Sequence, residues 1–456
     1  MEGKKMNNSQ NKNLLTEGSI WKKLMGFAFP LFLGNLFQQL YNTVDTLIVG
    51  NFVGTQALAA VGATSSFVQL LVGLFVGLCS GAGVIIAQSF GAGDHDEVNR
   101  QVHTALALAI AGGAALTVIG LLISRPVLRL MQTPDEIVGM ASEYLQIYFL
   151  GMIPQMIYNM GTNILRAVGD SKRPLYFLIV ASIVNIVLDI VLVAVIPLGV
   201  AGAAIATVAS QVVSAVLCII KLTRSDGPYR LEIKRIGFDL PLLKKITSQG
   251  VPSGVQNSII AIANVVVQSN INTFGSDAMA GCGSYSKVEG FVFLPITAFA
   301  MALTTFIGQN LGAGQFDRAK QGARIGILCS MAMAELIGVA LFFLAPYAMR
   351  LFNDDPAVVA IGVRQSHIEA LFFCFLAFAH GVSAVLRGAG RAQVPMYTML
   401  GCWCILRVSY ITLALKVWPD IATIFWAYPI TWSVSCVVFL IYYLKADWVH
   451  ALEKSL

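Results

Sequence analysis

Two carboxylates stand in stretches of this chain that are otherwise apolar. Asp45 ends a polar series with Asn35, Gln38 and Asn42, spaced 3, 4 and 3, and Asp189 ends a second with Ser182 and Asn185, spaced 3 and 4. On an α-helix these intervals line each series along one face. An ionisable group at mid-membrane costs about 2.5 to 3.5 kcal/mol even on lenient insertion scales, so neither face is expected to look at lipid. Two acids with amide neighbours in one cavity would influence each other's protonation and suit a proton carrier. With the amide oxygens they would equally suit a hard cation such as Na⁺, and the residues alone do not choose between the two. The competing structural role, satisfying a neighbouring helix's hydroxyls or backbone, is one that Asn or Ser would fill more cheaply.

The second half of the chain is chemically different. The position matching Asp45 is Val266, and the surrounding run carries Gln256, Asn257, Asn264 and Gln268. Its acids are Glu289, Glu335 and Glu369. Lys287 lies near Glu289 in sequence, and Arg364 and His367 lie near Glu369, so local pairing or satisfaction in the protein interior is expected to explain these two as well as an ion site does. Glu335 has no evident local partner. Proton or cation coupling is therefore expected in the first half, with Glu335 and Glu369 as the acidic candidates of the second.

Other chemistries find little support. All eight cysteines fall in apolar runs and read as core residues. Cys402 and Cys404, two apart, point to different sides of a helix and make a poor metal clamp. No metalloprotease histidine spacing, phosphate-binding Gly-Lys-Ser/Thr loop or convergent nucleophile is present, which argues against a metal site, against ATP as direct energy source and against an enzyme. No cofactor is expected beyond a transported H⁺ or Na⁺.

The elements that must position these residues are membrane spans. The 456 residues are 57% hydrophobic and 12% charged, with mean hydropathy +0.73, far from the roughly 25% charge of soluble domains. Twelve runs approach or exceed the ~20 residues a spanning helix needs: roughly 24–53, 57–88, 98–123, 138–168, 174–196, 199–223, 243–274, 276–310, 319–345, 358–388, 395–417 and 421–444. The expected fold is an all-α integral membrane protein of twelve transmembrane helices in two six-helix bundles around a central V-shaped cavity. Its parts are a tail at 1–23, an N-lobe at 24–223, a linker at 224–242, a C-lobe at 243–444 and a tail at 445–456. The tail from Met1 to Ser19 is polar and expected to be mobile.

The two lobes are one sequence used twice. Gln88, Gly91, Ala92, Gly93 and Asp96 recur 221 residues on as Gln309, Gly312, Ala313, Gly314 and Asp317, and Leu165, Arg166, Gly169 and Pro174 recur as Leu386, Arg387, Gly390 and Pro395. Pro30 meets Pro252 within one residue of the same shift. Repeated hydrophobic halves with interrupted spans at matching places are the mark of a transporter with its site between the repeats, and Pro30 is expected to bend the first span. Of the 30 Lys and Arg residues, Lys287, Arg364 and Arg407 fall inside apolar runs and Arg125, Arg129, Arg350 and Lys416 on one side. All others lie on the alternate connections and the termini, so both termini are expected in the cytoplasm. The net charge of +6 has this origin and implies no nucleic-acid partner.

In combination, Tyr41-Asn42-Thr43-Val44-Asp45 with Gly50, the Gln-x-x-Gly-Ala-Gly stretches, Leu165-Arg166-Ala167 with Gly169-Asp170, Asn185 with Asp189, and Gly202 to Thr207 resemble the multidrug and toxic compound extrusion (MATE) transporters, of the bacterial DinF-like or MepA-like branch. The resemblance covers about residues 20 to 445. It implies export of organic cations or other amphipathic compounds in exchange for H⁺ or Na⁺ by alternating access, from the bacterial cytoplasmic membrane and as a monomer. It also implies an ion site at Asp45, Asn185 and Asp189 with Thr207, Asn159 and Tyr144 nearby, and a bending point at Pro30. Substrate contacts are expected from Asn35, Gln38, Tyr41, Asn42, Gln256, Asn257 and Asn264. A flippase for lipid-linked oligosaccharides, of the same superfamily, is the alternative; its cavity would need more Arg and Lys.

Overall fold

The computed structural model describes residues 15–131 and 133–450. The first fourteen residues of the expected N-terminal tail and the last six of the C-terminal tail lie outside them. No strand occurs among the described residues. Fifteen α-helices follow one another: α1 (Ile20–Phe52), α2 (Thr55–Ala92), α3 (His95–Leu130), α4 (Asp135–Leu150), α5 (Met152–Ala167), α6 (Lys172–Asp189), α7 (Gly199–Thr223), α8 (Leu240–Asn272), α9 (Ser276–Gly312), α10 (Phe316–Arg350), α11 (Pro356–Glu369), α12 (Phe373–Gly388), α13 (Gln393–Met399), α14 (Arg407–Val417) and α15 (Ile421–Lys445).

These helices make the twelve spans of two six-span bundles. The span expected at 138–168 is α4 and α5, broken at Gly151, and that at 358–388 is α11 and α12, joined by a 3-10 turn at Ala370–Phe372. A π-helical stretch, Ile190–Val195, continues α6, and another, Leu400–Leu406, joins α13 to α14. Among the described residues, ten helical stretches are long and apolar enough to cross a membrane. The remaining spans are α1, whose polar stripe dilutes it, and the α4–α5 pair, whose 16-residue pieces are each short.

The sequence repeat recurs in the backbone. α2 and α9 begin at Thr55 and Ser276, α4 and α11 at Asp135 and Pro356, and α5 and α12 at Met152 and Phe373, each pair at the shift of the sequence. The turns between helices repeat as well, through glycines at positive φ: Gly54 and Gly275 (106° and 96°), Gly93 and Gly314 (74° and 68°), Gly169 and Gly390 (87° and 75°). An L side chain would be strained at all six.

The compact units do not divide in the linker. One unit holds Leu33–Gly254; the other holds Leu15–Phe32 together with the chain from Val255 onward. Both divisions fall two residues past a helix-interior proline, Pro30 in α1 and Pro252 in α8. In the second unit Leu24, Phe27, Ala28 and Leu31 of α1 join a core with Tyr285, Phe299 and Phe306. The tail expected to be mobile up to Ser19 is held from Leu15 to Gly18. Leu15 is buried, its N–H donates to Gln309 Oε1 (3.1 Å), and Arg318 donates to the carbonyls of Leu15 (3.0 Å) and Gly18 (2.7 Å). The repeated Gln of the Gln-x-x-Gly-Ala-Gly stretch thus anchors an apolar residue ahead of α1. At the other end Trp448 and Val449 are buried in the same core, Trp448 stacked on Tyr443.

In the first unit the linker is pinned to α3. Asn99 donates to the carbonyls of Pro228 and Arg230 (both 3.2 Å), and Leu231 is buried. The Glu232 N–H donates to His103 Nε2 (3.0 Å), so His103 Nδ1 carries the proton it donates to the Asn99 carbonyl (2.7 Å). Arg100 pairs with Asp239 and holds its carboxyl below the usual carboxylate range. A depressed carboxylate contributes stability above its unfolded value, about 3.9, and loses it as pH falls through the folded value. The Leu242 amide, which donates to Asp239 Oδ1 (3.3 Å), should therefore keep its exchange protection at neutral pH, relative to the intrinsic rate, and lose it only below about pH 4. Asp239→Ala should expose it at every pH, which hydrogen–deuterium exchange would read.

Candidate functional site

A polar cavity of about 600 Å³ lies inside the first unit. The second half of α1 brings Gln38, Tyr41, Asn42 and Asp45 to it, as their helical spacing requires. α4 and α5 bring Tyr144, Tyr148, Gln155, Tyr158 and Asn159, and α7 brings Thr207, Ser210, Gln211 and Ser214. Asp45 is the one charged residue among those that line it.

Asp189 and Asn185 stand behind this wall, both fully buried and one turn apart on α6. The Asp45 and Asp189 carboxyls approach within hydrogen-bonding reach of each other. Among the described residues no other group donates to either oxygen of Asp189 or to Asp45 Oδ1, and the side-chain amide of Asn185 is also buried with no partner there. Such orphaned polar atoms are rare in a protein interior, because leaving one unmade costs roughly 1–3 kcal/mol. Asp189 is also the last α-helical residue before the π-helical stretch, a local change of winding that occurs often at functional sites. The pair can hold one proton between its oxygens, or a cation with help from Asn185 Oδ1.

Of the neighbours expected from sequence, Tyr144 and Asn159 face the cavity, Tyr144 stacked on Tyr148 with ring centroids 6.1 Å apart. Thr207 lines it too, but its hydroxyl donates back to the Ala203 carbonyl (3.0 Å), leaving only lone pairs to offer. Asn35 is half-buried on α1 and not among the lining residues. Tyr148, Gln155 and Gln211 were not expected. Gln155 donates to the Tyr148 hydroxyl (3.3 Å), tying α5 to α4 at the cavity wall.

In the second unit the polar candidates do not gather. Gln256 is buried with Nε2 on Met399 Sδ (2.7 Å), while Asn257 and Asn264 are exposed. Glu335 accepts the backbone N–H of Cys374 (3.1 Å), beside the 3-10 break in the tenth span. Glu369 is fully buried and accepts from the Tyr285 hydroxyl (3.1 Å) and from Gln365 Nε2 (2.9 Å). The local pairings that sequence proximity suggests do not form. Lys287 sits over the Phe352 ring, Arg364 pairs with Asp420 (2.9 Å), and His367 bonds the Phe342 carbonyl (3.0 Å). Lys287 and Glu289 are two residues apart on one helix, and such side chains do not face each other. Satisfaction in the interior, the other half of that expectation, holds for Glu369.

Repeated bundles of six spans, with a polar cavity walled in part by an acid, define a membrane transporter built from two repeats. The sequence profile of the MatE family matches residues 30–191 and 252–412, once in each repeat, and the chain belongs to that family. It is 28% identical over 433 residues to the probable multidrug resistance protein YoeA of Bacillus subtilis (strain 168), covering 93% of this chain and 94% of that protein. It is 26% identical to the FAD transporter of Shewanella oneidensis, covering 77% and 78%. Among solved structures, that of MATE in the bent conformation superposes with a TM-score of 0.90 at 24% identity, covering 99% of both chains, a likeness of fold. The protein is a multi-pass membrane protein of a transporter family.

Proposed function

We propose that this protein is a secondary active exporter that moves organic cations or other amphipathic compounds out of the cell in exchange for H⁺ or Na⁺. The observation that carries the reading is the Asp45–Asp189 pair, with its orphaned oxygens, Asp45 lining and Asp189 standing behind the wall of a cavity lined by no basic residue. Four tyrosines, at 41, 144, 148 and 158, give that cavity the π-faces and hydroxyls that suit a cationic aromatic compound. The multidrug-resistance names of the relatives support the same substrate class. A proton or Na⁺ entering the carboxylate pair removes the negative charge that holds the organic cation, so ion uptake and drug release are one electrostatic event. The chemistry needs no catalytic group, which agrees with a transporter rather than an enzyme.

A phosphate-bearing cargo, whether a lipid-linked sugar or a dinucleotide, would need Arg or Lys in this cavity, and none lines it. The test is ethidium efflux from vesicles carrying the protein, with a pH gradient and a Na⁺ gradient imposed separately. Efflux under one of them supports the reading and identifies the ion; no efflux under either would overturn it.

A further inference from the structure

The linker between α7 and α8 carries side chains that neither the fold nor the carboxylate site uses. It leaves one span at Thr223 and enters the next at Leu240, so it lies where the membrane surface must be. Apart from the 3-10 turn Ile233–Arg235, its backbone from Ser225 to Asp239 is irregular. Lipid-exposed backbone of that kind does not occur within the hydrocarbon. Yet Ile233, Phe238 and Leu240 are 65%, 52% and 73% exposed, while Leu231 and Leu242, each 2% exposed, fix the stretch to the first unit. A segment too polar for the hydrocarbon and too apolar for water belongs at the boundary between them.

The same stretch is basic. Arg230, Lys234, Arg235, Lys244 and Lys245 are all exposed. Arg235 Nε donates to Glu232 (2.9 Å) and Lys245 lies 3.8 Å from Glu97, but Arg230, Lys234 and Lys244 enter no ion pair among the described residues. A cavity of about 320 Å³ lies between this stretch and α3. Arg100, His103 and Thr104 line it from α3, and Arg235, Phe238 and Asp239 from the linker. Arg100 is taken up by Asp239 and Glu97, and both ring nitrogens of His103 are hydrogen-bonded within the protein. The Nη groups of Arg235 have no partner among the described residues, so the cavity offers a guanidinium edge and an aromatic ring in one recess. The second repeat does not build this surface: the residue matching Arg100 is Gln321, and Arg318 is occupied by the carbonyls ahead of α1.

We propose that the linker is a recognition surface for an anionic phospholipid of the leaflet it lies on. Arg230, Lys234, Arg235 and Lys244 take the phosphodiester and headgroup charge, and Ile233, Phe238 and Leu240 enter the acyl boundary. The position between two span ends puts lipid, rather than another chain, against these side chains. The surface lies apart from the carboxylate cavity and is read by lipid binding, so it stands or falls separately from the export reading.

The experiment is titration of the purified full-length chain, in a non-ionic detergent at low salt, with short-chain phosphatidylglycerol and separately with short-chain phosphatidylcholine. Phosphatidylglycerol should bind saturably and more tightly. Each Lys or Arg beside an anionic surface contributes up to about fivefold, so Arg230→Gln, Lys234→Gln and Lys244→Gln together should weaken phosphatidylglycerol at least about tenfold and leave phosphatidylcholine as it was. Exchanging the cations in kind, Arg230→Lys with Lys234→Arg and Lys244→Arg, should keep wild-type binding. Phe238→Ser with Leu240→Ser should weaken both lipids, and Arg125→Gln with Arg129→Gln, near the other end of α3, should change neither. All these side chains are exposed, so every variant should melt with the wild type. The proposal is overturned if the triple Gln variant binds phosphatidylglycerol like the wild type, or if inorganic phosphate displaces the lipid at equal concentration, which would mark a free-anion site. It is overturned equally if the serine pair leaves both lipids bound but dissociates a dimer, which would assign the surface to a second copy of this chain.

Discussion

Asp189→Asn and Asp45→Asn should each abolish gradient-driven drug efflux while inserting and purifying like the wild type. Asparagine keeps the shape and the hydrogen-bonding oxygen of each side chain and removes its charge, so the loss isolates the ionisable group. One unit charge moving down the membrane potential supplies about 2.3 kcal/mol per 100 mV, and 1.36 kcal/mol is a factor of ten. A variant that no longer carries that charge should therefore lose roughly fiftyfold in the drug gradient it sustains at 100 mV. Since the two carboxyls adjoin, they act as one unit, and the double variant should be no worse than either single one. Vesicle efflux under an imposed gradient, paired with ethidium binding to the purified variants, separates lost coupling from lost drug affinity. Normal efflux by both single variants would remove these residues from the ion site; additive losses would separate them into two sites.

The legible part of this molecule was what lies along one helix or recurs at one shift. The polar stripe of α1 and the series ending at Asp189 could be read from spacing, and the structure brings their two acids together. The repeat could be read from a few glycines and prolines, and those at positive φ are fixed by backbone geometry rather than by packing. What spacing cannot say is which helices lie beside one another. Tyr148, Gln155 and Gln211 each read as isolated polar residues in apolar runs, and only the packing of α4, α5 and α7 makes them one wall. Tyr285 and Glu369 likewise meet across α9 and α11 although they are far apart in sequence. The assignment of α1 and α8 to units that change partway along each helix was also invisible, since nothing in an apolar run marks where its packing partner changes.

Gly77→Ala should destabilise the first unit strongly, although it adds a single methyl group. A Cβ at Gly77 would lie 2.1 Å from the Gly254 nitrogen and 2.3 Å from its Cα, and one at Gly81 would lie 2.4 Å from the Gly250 nitrogen. Two glycines one turn apart on α2 thus face two on α8, and the helices cross backbone to backbone, an approach that larger residues forbid. The obstruction is main chain, which has no rotamer to yield, so α2 and α8 must move apart. Overpacking of this kind costs typically 1–3 kcal/mol and occasionally more, and about 2–4 °C in Tm per kcal/mol for a unit of this size. Thermal melting followed by size-exclusion chromatography in detergent would measure it. Gly62→Ala and Gly283→Ala are the controls: a matched pair of the repeat, in α2 and α9, with nothing within 4 Å of either added methyl. They should melt at or slightly above the wild-type temperature, because alanine favours a helix over glycine by up to about 1 kcal/mol. The requirement is particular to the first unit, for the matching residues of α9 are Ala298 and Ala302, both buried in a core that includes Ala28 of α1. Val72, Gly73 and Val76, on the same stretch of α2, line the polar cavity. A shift of α2 away from α8 should therefore weaken ethidium binding as well as stability, and a Gly77→Ala protein that melts like Gly62→Ala would show that the two backbones do not meet at this crossing.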